Sequence, residues 1–166
     1  EWVFALVYQI PCKVYAVYQK QSNPNMDAYI KDTRQRYGAV MISKKETFPR
    51  ILGSVENDEQ ILSWFAADQA CRPEKAKWVT FLNQDTTFHQ GYEALAKQTG
   101  HPVYYLDIRK VKRSYYELAF IPISDNPRQE DEGAIVERFA NLTEKRIKEN
   151  PAHWLWSHNR WKHKKA

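Results

Sequence analysis

The sequence predicts an α/β fold, with a mixed, mostly parallel sheet flanked by helices and an antiparallel hairpin at one side. Short strands rich in β-branched and aromatic residues alternate with helical segments through most of the 166 residues. The hairpin is predicted by two such strands, residues 103–108 and 115–121, which the basic turn at 110–114 connects. No linker or internal repeat interrupts this pattern, so residues 1–166 are expected to form a single domain.

The first part of the chain predicts three strands and two helices. Residues 14–18 are β-branched and aromatic and precede a turn, which favours a strand. Asn23 is a natural N-cap with Pro24 at the first helical position, and Gly38 can end the helix that follows. We further expect a strand at 39–42, a short helix at 48–55 and, at 61–67, an apolar strand that is buried on both faces.

The second part of the chain adds the hairpin and two further helices. Residues 78–82 form an apolar run after a polar loop, and residues 88–100 predict a helix that ends in glycine. From 132 to 149, apolar residues recur on one helical face until Asn150-Pro151 stops the helix.

The chain is basic, with a formal net charge of +5 and a sequence pI near 9.1. Part of the excess lies near the C-terminus, at Arg160, Lys162, Lys164 and Lys165. This charge favours an anionic partner, and a membrane surface, an acidic carrier protein, a phosphorylated glycolipid and nucleic acid all fit. No apolar run approaches the roughly 20 residues that a membrane span requires.

Several common catalytic motifs are missing from the sequence. It contains no glycine-rich nucleotide loop, P-loop, zinc-spaced Cys/His set or Gly-x-Ser-x-Gly elbow, which argues against nucleotide, zinc-hydrolase and serine-hydrolase chemistry. The five histidines are scattered without ligand spacing. Cys12 and Cys71 match no metal or redox spacing and are expected to be free thiols.

Three segments of the chain carry a resemblance to one enzyme family. The first is Ala66-Ala67-Asp68-Gln69, followed after a basic loop by Val79-Thr80-Phe81-Leu82. The second is residues 91–103, where a Gly and a helical Leu-Ala pair lead to Thr99-Gly100-His101-Pro102-Val103. The third and most specific is residues 147–162, which include Asn150-Pro151-Ala152-His153-Trp154-Leu155-Trp156 and Ser157-His158-Asn159-Arg160-Trp161-Lys162. In this order they resemble the bacterial lipid A biosynthesis acyltransferases, within the larger class of lysophospholipid and glycerophosphate acyltransferases.

The resemblance implies a catalytic motif in which a His is followed, after four residues, by Asp or Glu. Glu1-Trp2 fits the carboxylate end of that motif, so Glu1 is the predicted catalytic partner of a histidine expected five positions before it. The chain would then be the C-terminal part of an acyltransferase domain with a glycerophosphate acyltransferase-like fold, truncated at its N-terminus. The histidine would act as general base on a hydroxyl, and the carboxylate would orient it. The chain by itself is therefore expected to be inactive.

The resemblance also implies a reaction and its setting. A fatty acyl chain would pass from acyl carrier protein to a hydroxyl of a lipid A precursor, in lipopolysaccharide biosynthesis, without a metal or organic cofactor. The expected partners are acyl carrier protein, the precursor glycolipid and the inner-membrane surface, and nucleic acid is not among them. The expected location is the cytoplasmic face of the Gram-negative inner membrane, with which the enzyme would associate.

Candidates for substrate binding come from three places in the chain. Arg34 and Arg36 lie where the family has an Arg-rich helix end and suit a phosphate or acyl-donor contact, although a solvated helix face has the same pattern. Asp68 and Gln69 end a predicted strand, where the sites of α/β folds gather, or else they cap the next turn. The C-terminal candidates, which would line the mouth of the site or form a basic tail near anionic lipid, are His158, Arg160 and Lys162.

Three other functions are compatible with the sequence: acylation of another polar lipid, non-catalytic lipid binding and nucleic-acid binding. The basic pI and an aromatic content of 14% suggest the last of these. Against it, the basic residues are spread among 20 acidic ones, and no nucleic-acid-binding motif occurs. A histidine five positions before Glu1 would favour the enzyme.

Overall fold

The computed structural model describes residues 2–165, with their side chains except at positions 2, 3, 5 and 75. The chain divides into two units, Glu1–Ala66 and Ala67–Ala166, each with its own strands and helices. Parallel strands lie in the first unit and antiparallel strands in the second, alongside four α-helices within the described part. These elements confirm the predicted α/β class.

The N-terminal unit is built on a three-stranded parallel sheet with the order β2-β1-β3. A 3-10 helix at Trp2–Gln9 precedes the sheet. The other elements, in chain order, are β1 (Lys13–Tyr18), α1 (Pro24–Gln35), β2 (Val40–Ser43), α2 (Thr47–Glu56) and β3 (Ile61–Trp64).

The start of α1 confirms the predicted cap. The Asn23 side chain accepts hydrogen bonds from the backbone N–H groups of Asn25, at 2.9 Å, and Met26, at 3.2 Å. These bonds satisfy two donors that would otherwise have no partner at the helix N-terminus. Gly38 follows the helix at a φ of +94°, in the left-handed region that favours glycine.

The prediction of a strand at 61–67 buried on both faces is wrong in extent and in burial. The strand ends at Trp64, the last residue that pairs with β1, and its residues are only half-buried. β3 lies at the edge of the three-stranded sheet, so one of its sides has no neighbouring strand in the described part of the unit. Its apolar composition resembles that of a central strand, and composition does not reveal strand order.

The C-terminal unit contains two antiparallel hairpins and two α-helices. Short 3-10 helices occur at Pro73–Lys75, Pro127–Gln129 and Pro151–His153. The longer elements are β4 (Ala76–Phe81), β5 (Gln84–His89), α3 (Gly91–Thr99), β6 (Val103–Lys112), β7 (Tyr115–Ser124) and α4 (Ala134–Glu149). The predicted hairpin and final helix are confirmed, and Gly100 ends α3 at a φ of +79°.

The predicted helix at 88–100 begins too early, because Phe88 belongs to strand β5. A two-residue turn at Leu82 and Asn83, with φ of 50° and 61°, reverses the chain between β4 and β5. Turns of this kind usually contain Asn-Gly or Asp-Gly. The turn here is Leu82-Asn83, which does not match those dipeptides, so the sequence does not predict the β4–β5 hairpin.

The β6–β7 hairpin packs one of its faces on α4. The buried carboxylate of Asp107 in β6 accepts a hydrogen bond from the Arg146 guanidinium of α4 at 2.7 Å. On the same face, the rings of Tyr105 and Phe139 lie 5.6 Å apart between centroids. The ion pair and the ring contact therefore fix the hairpin to the helix.

Candidate functional site

Strand β5 anchors the loop at residues 68–71 and the C-terminal segment, defined as residues 154–163. The Thr87 hydroxyl donates a hydrogen bond to the Cys71 carbonyl at 3.1 Å, at a buried position. On the adjacent residue, the Thr86 hydroxyl accepts a hydrogen bond from the indole N–H of Trp161 at 2.9 Å. The loop and the C-terminal segment are therefore both held by one strand.

His158 joins the C-terminal segment directly to the loop. The backbone N–H of Ala70 donates a hydrogen bond to Nε2 of His158 at 3.3 Å. Because Nε2 accepts in this bond, the proton of the neutral ring lies on Nδ1. The two residues are 88 positions apart in the sequence, so the bond is a long-range link between two segments that each contain predicted site residues.

Arg160 is the buried cation of the C-terminal segment and is 2% exposed. Its guanidinium carbon lies 4.3 Å from the ring centroid of Phe88 and 5.9 Å from that of Phe81. A desolvated cation over aromatic faces gains about 2 kcal/mol. Within residues 2–165, none of its three guanidinium nitrogens finds a hydrogen-bond acceptor. The rings therefore hold the guanidinium in place and leave its N–H donors unused.

Burial lowers the pKa of Arg160 to about 10, well below its ordinary value, while the negative charge of Asp68 acts in the opposite direction. The guanidinium is therefore still charged near neutral pH. A charge kept in such surroundings without acceptors costs stability. Groups of this kind cluster at functional sites. Arg160, with the adjacent loop, is the centre of the candidate site.

Two fully buried phenylalanines form the floor under Arg160. The rings of Phe81 in β4 and Phe88 in β5 meet edge to face, with centroids 5.2 Å apart. Trp154 lies beside Phe81 at 6.3 Å, and Phe139 of α4 lies beside Phe88 at 6.2 Å. The aromatic cluster thus extends from the C-terminal segment through the hairpin to α4.

A family model described as bacterial lipid A biosynthesis acyltransferase matches residues 3–163. The chain belongs to this family. The match confirms the resemblance over nearly the whole chain and assigns an acyltransferase of lipid A biosynthesis, with a lipid A precursor as acceptor. Comparison with curated proteins gives no match.

The predicted site residues of this acyltransferase fall in both units. In the C-terminal unit, Asp68 is half-buried beside the charge of Arg160, whereas Gln69 and Lys162 are exposed. Asp68 and Gln69 belong to the loop at 68–71 and not to the end of a strand, and His158 and Lys162 belong to the C-terminal segment. Glu1, the predicted catalytic carboxylate, lies outside the residues that the structure describes.

The two arginines of the N-terminal unit have different surroundings. The guanidinium carbon of Arg34 lies 5.6 Å from the ring centroid of Phe4. Arg36 follows the last residue of α1 and is exposed, and its backbone N–H donates to the Asp32 carbonyl at 3.2 Å. Both are basic residues at the end of α1, and Arg34 is half-buried whereas Arg36 is exposed.

The sequence does not predict the two phenylalanine rings that lie under Arg160 in this acyltransferase. Phe81 belongs to a segment that carries the resemblance, whereas the helix predicted at 88–100 includes Phe88, which lies in β5. The threonines and phenylalanine of the run Gln84–His89 favour a strand, and that signal was available. What no pattern predicted is that both rings face one arginine more than 70 residues further along the chain.

No group of three or more His, Cys, Asp or Glu side chains in the described part of the acyltransferase could hold a metal ion. A search of the same residues for a helix of sufficient length and apolarity to span a bilayer also found none.

Proposed function

We propose that this acyltransferase moves a fatty acyl chain from acyl carrier protein to a hydroxyl of a lipid A precursor at the cytoplasmic face of the bacterial inner membrane. The hydroxyl oxygen forms a bond to the thioester carbonyl carbon, and the carbon–sulfur bond breaks. The hydroxyl proton passes through the motif histidine to the departing thiolate. The reaction needs no redox partner and no cofactor to balance. The family match across residues 3–163 is the observation that carries the proposal.

The catalytic pair of the proposal is the motif histidine with Glu1. Glu1 would orient the imidazole and stabilise its protonated form. The histidines present are His89, His101, His153, His158 and His163, and none is followed by a carboxylate at the motif spacing. Because it contains no histidine at the motif spacing, the 166-residue chain is expected to show no turnover by itself.

Arg160 is the proposed centre of substrate binding. A guanidinium with unused N–H donors binds phosphate through paired hydrogen bonds, which suits the phosphorylated disaccharide of a lipid A precursor. Its low-polarity surroundings strengthen any such contact. Asp68, Gln69 and His158 complete the group on the loop side.

The remaining proposed binding residues are basic groups, of which Lys162 and Arg36 are exposed and Arg34 is half-buried. Lys162 belongs to the C-terminal segment, and Arg34 and Arg36 lie at the end of α1. Acyl carrier protein is acidic, so basic side chains raise its rate of encounter with the enzyme. These residues therefore suit the donor, whereas the buried Arg160 suits the acceptor.

The decisive experiment measures acyl transfer with two donors and two acceptors. A histidine-containing enzyme that includes this chain is supplied with acyl carrier protein thioester or acyl-coenzyme A, and with a phosphorylated lipid A precursor or the same disaccharide without phosphates. We expect kcat/KM to be higher with the carrier protein thioester than with acyl-coenzyme A, and higher with the phosphorylated acceptor than with the unphosphorylated disaccharide. Equal kcat/KM for glycerophospholipid acceptors would instead favour an enzyme for another polar lipid. Full turnover by residues 1–166 alone would remove the motif histidine from the mechanism.

A further inference from the structure

The β6–β7 hairpin has a second face, and that face is apolar and exposed. The strand register pairs Tyr104 with Pro122, Leu106 with Phe120, and Ile108 with Leu118. All six side chains therefore point away from the face that carries Asp107. Three of them keep nearly half of their surface in solvent, namely Tyr104 at 46%, Ile108 at 45% and Phe120 at 43%. Large apolar side chains grouped in this way mark an interaction surface.

The charge on this hairpin is divided by face and by position. The carboxylates of Asp107 and Glu117 lie at positions that face away from the exposed apolar face. Cations collect at the tip of the hairpin, at Arg109, Lys110, Lys112 and Arg113. Asp107 pairs with Arg109 at 2.8 Å, which leaves Lys110, Lys112 and Arg113 as the exposed basic fringe of the tip.

Apolar side chains are interleaved with this basic fringe. Val111 and Tyr115 are each 59% exposed, and the Lys112 ammonium lies 4.2 Å from the Tyr115 ring centroid. Lysine stems can lie along apolar material while their charges remain at the polar boundary. Tyrosine favours the boundary between lipid and water, where one end of the ring is apolar and the other is hydrated.

We infer that the exposed face and tip of the β6–β7 hairpin dock this protein onto an anionic lipid bilayer. The apolar face and Val111 enter the interfacial region, and Lys110, Lys112 and Arg113 lie against lipid phosphates. A protein partner of opposite charge could also bind the tip. However, the apolar face contains no carboxylate or amide that would specify such a partner by hydrogen bonds. This inference rests on the proposed function in one respect: an enzyme that acylates a lipid must reach its acceptor at a membrane.

The experiment measures binding of the full 166-residue chain to vesicles, and it requires no catalysis. Vesicles of phosphatidylethanolamine with phosphatidylglycerol are compared with vesicles of phosphatidylcholine by co-sedimentation. We expect clear binding to the first and weak binding to the second. The basic variant combines Lys110→Gln, Lys112→Gln and Arg113→Gln. Each cation near an anionic surface raises the binding constant roughly fivefold, so this variant should bind these vesicles about 100-fold more weakly than the parent.

A matched control keeps the same change in net charge. It combines Lys31→Gln, Lys44→Gln and Lys45→Gln, which are exposed residues of the N-terminal unit. Binding of the control should stay within a few fold of the parent. The apolar variant Ile108→Ser with Val111→Ser should lose the part of binding that persists in high salt, because salt screens only the charge term. Circular dichroism of each variant checks that it is folded.

Two outcomes would overturn the inference. The first is equal loss of vesicle binding in the basic variant and in the control, which would mean that net charge alone decides. The second is a parent chain that self-associates through this face, seen as a dimer in sedimentation velocity that the apolar variant abolishes, without vesicle binding. Either result would leave the proposed acyl transfer untouched, because that reaction is assayed separately with detergent-dispersed acceptor.

Discussion

The guanidinium carbon of Arg160 lies 4.3 Å from the ring centroid of Phe88, and no carboxylate forms an ion pair with it among residues 2–165. The contact joins residues 147–162, the most specific segment of the family resemblance, to strand β5, which the sequence does not predict. Arg160 could serve the stability of the fold or the binding of substrate. If it serves stability, removing its charge should lower the free energy of unfolding of the protein. If it serves binding, removing its charge should not lower that free energy.

Replacing Arg160 by Met should therefore leave the C-terminal unit as stable as the parent or more stable. Replacement of buried charges by apolar side chains of similar volume is often neutral or stabilising by about 1–4 kcal/mol. Loss of the cation–π contact, about 2 kcal/mol, offsets part of that gain. Urea denaturation of the 166-residue chain measures the change in the free energy of unfolding.

The same substitution in the histidine-containing enzyme should lower kcat/KM for the phosphorylated acceptor by about 10–100-fold, the effect of losing one hydrogen bond to a charged group. Arg160→Lys is the control, because it keeps the charge but not the forked geometry. It should retain part of the activity. A Met variant that is both destabilised and fully active would show that Arg160 serves only the fold.

How far the sequence predicts this structure depends on whether a feature is local. The Asn23 cap, the hairpin after Val103 and the left-handed Gly100 are set by residues near one another, and each is confirmed. The β4–β5 hairpin depends on a Leu82 in the left-handed region, a conformation that composition does not indicate. The edge position of β3 depends on strand order, which is a property of the assembled sheet.

The candidate site shows the same division. Family resemblance marked Asp68, His158 and Arg160 as candidates because their segments have recognisable residues. It did not indicate that Arg160 is buried or that His158 contacts Ala70, since both depend on how the C-terminal segment folds back onto β5. Burial changes the interpretation: Arg160 cannot belong to an exposed basic tail, so that role is left to the lysines around it.

Glu93 provides a test of long-range capping. Its side chain is 3% exposed, and its carboxylate accepts hydrogen bonds from the backbone N–H groups of Gly133, at 2.7 Å, and Val136, at 3.3 Å. α3 thus supplies the cap for the start of α4. Glu93→Ala leaves these donors buried, so the free energy of unfolding should fall by about 1–3 kcal/mol. The exposed Glu137→Ala, measured in the same denaturation series, should change it by less than about 0.5 kcal/mol.

Glu130 gives the protein a defined dependence on acid. Hydrogen bonds from Arg138 and then Ser124 lower the pKa of its carboxyl from the ordinary value of 4.5. Since the folded pKa lies below the unfolded one, the stabilisation is present above pH 4.5 and is lost as the pH falls below it. We therefore expect the denaturation midpoint, measured at several values between about pH 3 and pH 7, to fall less steeply with decreasing pH in Glu130→Gln than in the parent. Parallel curves for the two proteins would contradict this assignment.

The exposed lysines in and just after the C-terminal segment are expected to bind the acyl donor. Lys162, Lys164 and Lys165 are exposed, whereas Arg160 is buried, so these three lysines can meet a protein partner at the surface without any change in the fold. Replacing all three by Gln in the histidine-containing enzyme should raise KM for the acyl carrier protein thioester and change kcat little, because surface charge mainly governs encounter. The variant should also respond less to salt than the parent, since exposed charges are screened within about 10 Å at 0.1 M. The triple Gln variant of Lys31, Lys44 and Lys45 is the control of equal charge and should keep the parental KM. If the two variants show the same salt dependence and the same KM, the C-terminal lysines contribute only to net charge.

If the variant of Lys162, Lys164 and Lys165 instead loses kcat alone, one of these lysines contacts the reacting groups.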